Sequence, residues 1–312
     1  MKPQLAIVVP CYNEAEVLPE TIRRLIALLD KLVQSDAVTP SSHVLFVDDG
    51  SSDATWQLIG QSRDAQGRIK GIKLSANRGH QIALMAGLFS ARGDVVVSID
   101  ADLQDDVNAI EAMLAAHVAG HEIVFGVRKQ RRADTWFKRV SAESYYRLLK
   151  LLGINIVFNH ADYRLMSRRA IEALKEYGEA NLFLRGIVPL IGFKSSVVYY
   201  DRGERFAGES KYPLKRMLML AFDGITSFTA FPLRMISILG LLVSVVSLTM
   251  IGWVLWIKLF TIQAIPGWAS SVIPVYFLGG LQLLSIGVLG EYVAKIYAET
   301  KRRPRYFIEE EV

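Results

Sequence analysis

The chain has 312 residues, 51% hydrophobic and 21% charged, and 36 Lys and Arg against 31 Asp and Glu leave a net charge of +5. A mean hydropathy of +0.26 beside that many charges excludes one ordinary soluble domain, and the composition excludes disorder, collagen and coiled coil. The single cysteine, Cys11, excludes an intramolecular disulfide and a multi-cysteine zinc site, so oxygen and nitrogen groups must carry the chemistry.

In chain order, Leu5–Val9 is the first apolar run, and Pro10 ends it too early for the core of a secretion signal. With Val44–Val47, Ile69–Leu74, Val95–Ile99 and Ile123–Val127 it predicts strands buried on both faces. Glu16–Leu32, Ala54–Arg63, His80–Ala91 and Val107–Ala119 have helical spacing and predict the intervening helices. Such alternation implies an α/β, Rossmann-like, mostly parallel sheet over residues 1–210, with ligands beyond the carboxyl ends of the strands. Polar clusters fall at those ends: Asn13-Glu14, then Asp48–Asp53, Asn77–His80 and Asp100–Gln104.

Thr135–Leu152 sets Trp136, Tyr145 and Tyr146 among Lys138, Arg139, Arg147 and Lys150, a basic amphipathic helix suited to an anionic membrane surface or to packing on the protein. Residues 211–232, bracketed by Pro213 and Pro232 and containing Asp223, read as an amphipathic juxtamembrane segment. From Met235 to Ile257, 23 residues carry no charge. At ~1.5 Å rise per residue such a helix crosses a ~30 Å hydrocarbon layer. A second uncharged stretch, interrupted by Pro266-Gly267, predicts another span over 272–293, so residues 233–298 read as a two-helix hairpin. Lys211, Lys215, Arg216 and Arg234 precede it, and Lys295, Lys301, Arg302, Arg303 and Arg305 follow, which places both termini in the cytoplasm. Residues 299–312 read as a basic, then acidic, tail. Gly279, Gly280, Gly287 and Gly290 suit close helix contact in a homo-oligomer.

No G-x-G-x-x-G follows any strand, which removes the main support for hydride chemistry. Carboxylates two apart at a strand end, Asp100 and Asp102, leave the pleat on one side and can share a hard divalent cation with diphosphate oxygens. An EF-hand fails because its glycine position is Asp105 and a strand, not a helix, precedes it. Asp105 and Asp106 also suit capping of the helix near Val107. No basic and aromatic nucleic-acid motif appears.

The chain resembles the inverting, GT-A fold, family 2 glycosyltransferases, and within them the polyprenyl-phosphate branch related to dolichol-phosphate mannose synthase. The matching elements are Val-Val-Pro10-Cys-Tyr12-Asn13-Glu14, Asp48-Asp49-Gly50-Ser51, Asn77-Arg78-Gly79, Asp100-Ala101-Asp102-Leu-Gln104, Gly208-Glu209-Ser210-Lys211-Tyr212 and Gly-Glu291-Tyr292 through Arg303-Pro304-Arg305-Tyr306. Phe231–Arg234 and Asp162–Ser167 look most like the bacterial bactoprenol glucosyltransferases. The resemblance implies a UDP-sugar donor, undecaprenyl phosphate as acceptor, and a bacterial inner-membrane enzyme, multi-pass and tetrameric before dimeric. It implies a donor site of Pro10, Tyr12, Asn13, Glu14, Asp49, Asn77, Arg78, Asp100, Ala101, Asp102, Arg205 and Lys211, with Asp49 reading the uracil. Asp100, Asp102 and Gln104 match the ligands of Mg²⁺ or Mn²⁺.

On these matches Asp102, Asp162 and Arg205 carry catalysis, and Asp162 is either a general base or the structural partner of Arg164. Arg128, Lys138 and Arg139 are candidates for the lipid phosphate. The glucose assignment leaves N-acetylhexosamine, galactose, aminoarabinose and mannose from GDP-mannose as other donors. A processive polysaccharide synthase lacks its Gln-x-x-Arg-Trp stretch here, and a non-catalytic sugar-nucleotide sensor leaves Asp100 and Asp102 without a purpose.

Overall fold

Each expected strand and helix of the first 128 residues forms within two residues of its expected ends in the computed structural model. They are β1 (Leu5–Cys11), α1 (Leu18–Gln34), β2 (His43–Asp48), α2 (Thr55–Gln61), β3 (Ile69–Leu74), α3 (His80–Ser90), β4 (Val95–Ser98), α4 (Ala109–Val118) and β5 (Ile123–Arg128). The structure describes residues 2–64, 66–129, 160–179, 184–201, 231–260 and 267–312. Lys138, Arg139, Arg205, Lys211, the expected helix over 135–152 and the juxtamembrane residues 214–230 lie outside the described residues.

The apolar runs did not announce the remaining elements: β6 (His160–Ser167), α5 (Arg168–Lys175), α6 (Leu184–Leu190), β7 (Ser195–Tyr200) and β8 (Ile308–Glu311). The sheet runs β7-β5-β6-β4-β1-β2-β3-β8. Four of its seven pairings are parallel, while β6 lies antiparallel between β4 and β5 and β8 lies antiparallel along β3. The mostly parallel α/β architecture is therefore the observed one. The segment read as a tail supplies an edge strand, because alternate backbone groups of Phe307–Val312 meet the open side of β3.

Burial explains the order. Leu5, Ala6, Ile7, Val8 and Val9 are all fully buried in the centre of the sheet. On α1 the buried positions Leu18, Thr21, Leu25, Leu28, Leu29 and Leu32 recur at three- and four-residue steps, giving one apolar stripe to the sheet. Each such side chain contributes about 1.5–3 kcal/mol on burial. Pro19 and Glu20 in the first turn and Lys31 in the last suit the helix ends.

The chain divides into two compact units, one holding all eight strands and including Arg303–Val312, the other holding the two long helices. These are α7 (Phe231–Phe260) and α8 (Trp268–Lys301). They contain the two expected spans, and α8 outruns its expected span at both ends, closing at Arg302 in a left-handed conformation just before Pro304. Among the described residues one stretch, Phe277–Lys301, is long and apolar enough to cross a membrane by length and composition.

Candidate active site

The carboxyl ends of β1, β2 and β3 are bound together by backbone-directed hydrogen bonds. Asn13, in a left-handed conformation that Asn tolerates, receives Ser52 N–H on its Oδ1 at 2.9 Å, while its own N–H donates to Ser51 Oγ at 2.9 Å. Glu14 N–H donates to Thr55 Oγ1 at 2.9 Å and Ala15 N–H to Asp53 at 3.1 Å. Pro10 lies within buried β1, and Tyr12 stands half exposed beyond it. Asp49 is buried, and its two oxygens accept the N–H groups of Arg78 and Gly79, each at 2.8 Å. Gly50 permits that approach: a Cβ there would stand 2.7 Å from Asn77 N, on a φ of +68°. Burial raises the Asp49 carboxyl, and the two N–H donors oppose the rise.

Asp49 thus holds the Asn77–Gly79 loop in place. Its neighbour Asp48 is fully buried, accepts Ser51 N–H at 3.3 Å on one oxygen, and presents the other without a hydrogen-bond partner among the described residues.

The carboxyl end of β4 is organised differently. Ala101 C=O, between the two carboxylates, accepts the hydroxyl of buried Thr21 on α1 at 2.8 Å. Asp102 accepts the N–H of Gln104 at 3.2 Å across Leu103, whose φ of +57° is a strained conformation for a leucine. Asp100 lies 3.5 Å from His80 Nε2, and His80 lies 3.6 Å from Asp162. Removal from water pushes the Asp100 carboxyl up to about 6; Asp105, Asp162 and Asp102 add to the rise and His80 opposes it.

Asp162 on β6 is buried in a ring of donors. Arg164 donates at 2.5 Å, Arg185 at 3.1 Å and Gln81 at 3.2 Å. Burial would raise this carboxyl, but His80, Arg185 and Arg164 overcome it and hold it well below the usual carboxylate range. So held, Asp162 is a poor proton acceptor, and of its two sequence readings the pair with Arg164 is present. Arg164 is fully buried and also donates to Leu184 C=O at 3.3 Å.

Arg128 is engaged within the protein: it donates to Asp105 and to Tyr200 Oη, each at 3.2 Å. Asp105 is therefore no helix cap but the buried partner of Arg128 and Tyr200, whereas Asp106 accepts Asn108 N–H at 2.9 Å. A cavity of about 520 Å³ lies alongside, lined by Arg23, Arg24, Lys31, Gln104 and Asp201; Asp100 and Asp102 do not line it.

Asp100, Ala101, Asp102 and Gln104 share one loop, and His80 and Asp162 join it, while Asp49, Asn77 and Arg78 meet at the neighbouring loop. Sequence reasoning placed His80 in a strand-end polar cluster without giving it a role, and missed Gln81 and Arg185. The first two directly follow the Asn77-Arg78-Gly79 motif, at the start of α3, which is a local signal; Arg185 has none, since only the fold brings α6 to β6.

The mostly parallel α/β sheet is that of a GT-A-like glycosyltransferase. The glycosyl transferase family 2 model matches residues 6–175, and the chain belongs to that family. It is 51% identical over 310 residues to an uncharacterized glycosyltransferase, YkoT, of Bacillus subtilis (99% of this chain, 92% of the relative). It is 37% identical to the prophage bactoprenol glucosyl transferase homolog of Escherichia coli K12 (98% of each) and 38% identical to the bactoprenol glucosyl transferase of Shigella phage SfV (99% of each). Among solved structures, glucosyl-3-phosphoglycerate synthase from Mycobacterium tuberculosis, in complex with Mn²⁺, UDP and phosphoglyceric acid, matches with a TM-score of 0.47 at 18% identity, over 70% of this chain and 74% of that one.

Proposed function

We propose that the chain is a membrane-bound inverting glycosyltransferase that moves glucose from UDP-glucose to undecaprenyl phosphate, giving a polyprenyl-monophosphate sugar for cell-envelope glycan modification. The observation that carries this reading is the Asp100/Asp102 pair at the open end of β4, beside the loop that Asp49 holds, in a chain alike over nearly its whole length to bactoprenol glucosyl transferases.

The donor set fits a hard cation. Asp100, Asp102 and Gln104 offer oxygen ligands; Asp100 is raised first by burial and then by the neighbouring carboxylates, and a divalent ion would offset both. When bound, Mg²⁺ or Mn²⁺ supplies charge neutralisation for the UDP leaving group. Asp49 and the Asn77–Arg78 loop are assigned to the uracil side, with half-exposed Tyr12, next to Asn13 in sequence, as a further donor-site residue. Arg205 and Lys211 are assigned to the diphosphate.

A phosphate monoester has its second pKa near ~6, so the acceptor oxygen arrives largely anionic. It attacks the sugar C1 as the bond from C1 to the UDP oxygen breaks, inverting that carbon, and no proton need move. Asp162 then orients Arg185 and His80 rather than acting as a base; Lys138, Arg139 and Arg185 are assigned to the lipid phosphate, and Arg128 would have to leave Asp105 and Tyr200 to join them. α7 and α8 form the membrane hairpin, with both termini cytoplasmic in the bacterial inner membrane. Gly279, Gly280, Gly287 and Gly290 have open space around them among the described residues, which supports packing against further copies, a tetramer before a dimer.

The test is a donor panel with purified protein in nanodiscs holding undecaprenyl phosphate. Glucose from UDP-glucose should appear on the lipid, one sugar per lipid and only with a divalent cation. Transfer from UDP-N-acetylhexosamine, UDP-galactose, an aminoarabinose donor or GDP-mannose instead would replace glucose. Chains of sugar would indicate a processive synthase, and UDP release without a lipid product would remove the acceptor.

A further inference from the structure

Arg305 belongs to a run of cations that, by sequence, merely marks the cytoplasmic side of a membrane helix. Its guanidinium instead donates to Met85 Sδ at 3.0 Å and to Tyr177 C=O at 3.1 Å. Met85 is buried on α3, just over one turn beyond His80. Two residues after Arg305, Phe307 C=O accepts the N–H of Ser75 at 3.0 Å, at the point where the chain leaves β3. Ile308 then pairs with Leu74, and Val312 exchanges two backbone hydrogen bonds with Gly71, at 2.8 and 2.9 Å. Gly71 makes room for this: a Cβ there would stand 2.9 Å from Val312 and 2.6 Å from Ile59.

The segment therefore grips β3 immediately before residues 75–79 and α3 immediately after them. That connection carries the Arg78 and Gly79 N–H groups that hold Asp49, carries Asn77, and delivers His80 to Asp100. We infer that Arg305–Val312 is a positioning element of the donor site, with Arg305 its positioning residue, fixing the Ser75–His80 connection from both sides. The inference rests on the UDP-sugar reading above. A strand that only stabilised the sheet would need Ile308–Glu311 but not a guanidinium turned onto α3.

The experiment uses the full chain in nanodiscs and reads amide hydrogen exchange by peptide together with binding of UDP in the presence of Mn²⁺. Arg305→Ala should speed exchange over 75–80 by about tenfold or more with β1 and α1 unchanged, since opening is local. It should weaken UDP binding by about five- to tenfold while turnover at saturating donor stays within about twofold, as expected for a loop displaced from its binding geometry. Arg305→Lys, which keeps a donor for Tyr177 C=O, should show the same pattern in smaller measure and serves if the alanine variant does not fold. Leu32→Ala, a cavity in α1, should lower thermal stability without singling out 75–80. Unchanged exchange at 75–80 in both Arg305 variants, or a rise spread as evenly as in Leu32→Ala, overturns the inference. Wild-type protein that binds no UDP with Mn²⁺ overturns the donor reading, and the site role of the loop with it, whatever the exchange result.

Discussion

At the β2–β3 end of the sheet rim Asp49 is held by two neutral backbone N–H groups, whereas at the β4–β6 end Asp162 is held by Arg164, Arg185 and His80. Both carboxylates are buried, yet burial raises the first from its usual value while the charges around the second hold it well below. Neutral donors fix a loop by geometry and only partly offset lost hydration; guanidiniums overcompensate and lock the charge in. The first region is thus built to shape a surface, the second to hold charge at a fixed place beside Asp100.

The largest effect is expected where charge serves chemistry rather than support. Asp102→Asn, and to a similar degree Asp100→Asn, should lower transfer by about a thousandfold or more if, as proposed, they hold the metal, which would supply several kcal/mol of leaving-group stabilisation. Thermal unfolding should move little, and a chelator should reproduce the loss in the wild type. Turnover of Asp102→Asn in metal-free buffer at the wild-type rate would end the metal assignment.

Next, Arg164→Leu leaves Asp162 buried with its shortest hydrogen bond gone. A loss of about 3–5 kcal/mol in chemical denaturation is expected, as for breaking a buried ion pair from one side. At the neutral end, Asp49→Asn keeps one acceptor oxygen and turns an amide NH₂ toward a backbone N–H; the cost should be only about 1–3 kcal/mol, with faster exchange at Arg78 and Gly79. Equal losses from the two variants would erase the contrast between the regions.

Acid separates them by sign. Asp162, depressed in the fold, contributes stability that is present above the unfolded carboxylate pKa of about 4 and is lost as pH falls through its lower folded value. The stability gap between wild type and Asp162→Asn should therefore hold from pH 6 to about 4 and narrow below that. Asp49, raised in the fold, gives the opposite slope: its contribution falls as pH rises through its folded pKa, so the gap to Asp49→Asn should shrink toward neutral pH. The smallest effect belongs to Thr21→Val, which removes the hydroxyl held by Ala101 C=O at nearly constant volume. About 1 kcal/mol is expected, with a modest rise in the metal concentration needed for half activity.

The parallel core was legible because β1, β2, β4 and β5 are continuous apolar runs buried on both faces; Asp100 and Asp102 lie past the end of β4 in a turn, so the strand alternation expected to put them on one side does not reach them. β6 was not legible, since Asp162 and Arg164 interrupt its apolar pattern and their burial depends on pairing with each other. β7 alternates exposed and half-buried residues at an open edge, and β8 is mostly glutamate, so neither carries the signature of a buried strand. Arg128 read as a free cation because nothing local reveals Asp105 and Tyr200, which come from elsewhere in the fold.

The strand that covers the side of β3 lies far from it along the chain. Between Leu74 and Ile308 the growing chain must add more than 230 residues, which at ~5–20 residues per second leaves the side of β3 bare for roughly ten to fifty seconds. A bare strand edge is a template for pairing with any neighbouring chain. Lys70 and Lys73 lie on β3, and Glu309 and Glu310 pair with Lys73. The glutamates then become the outer rim themselves, so the finished sheet again presents charge to its surroundings. Removing Ile308–Glu311 is therefore expected to leave the side of β3 open to pairing with other chains, read as aggregation.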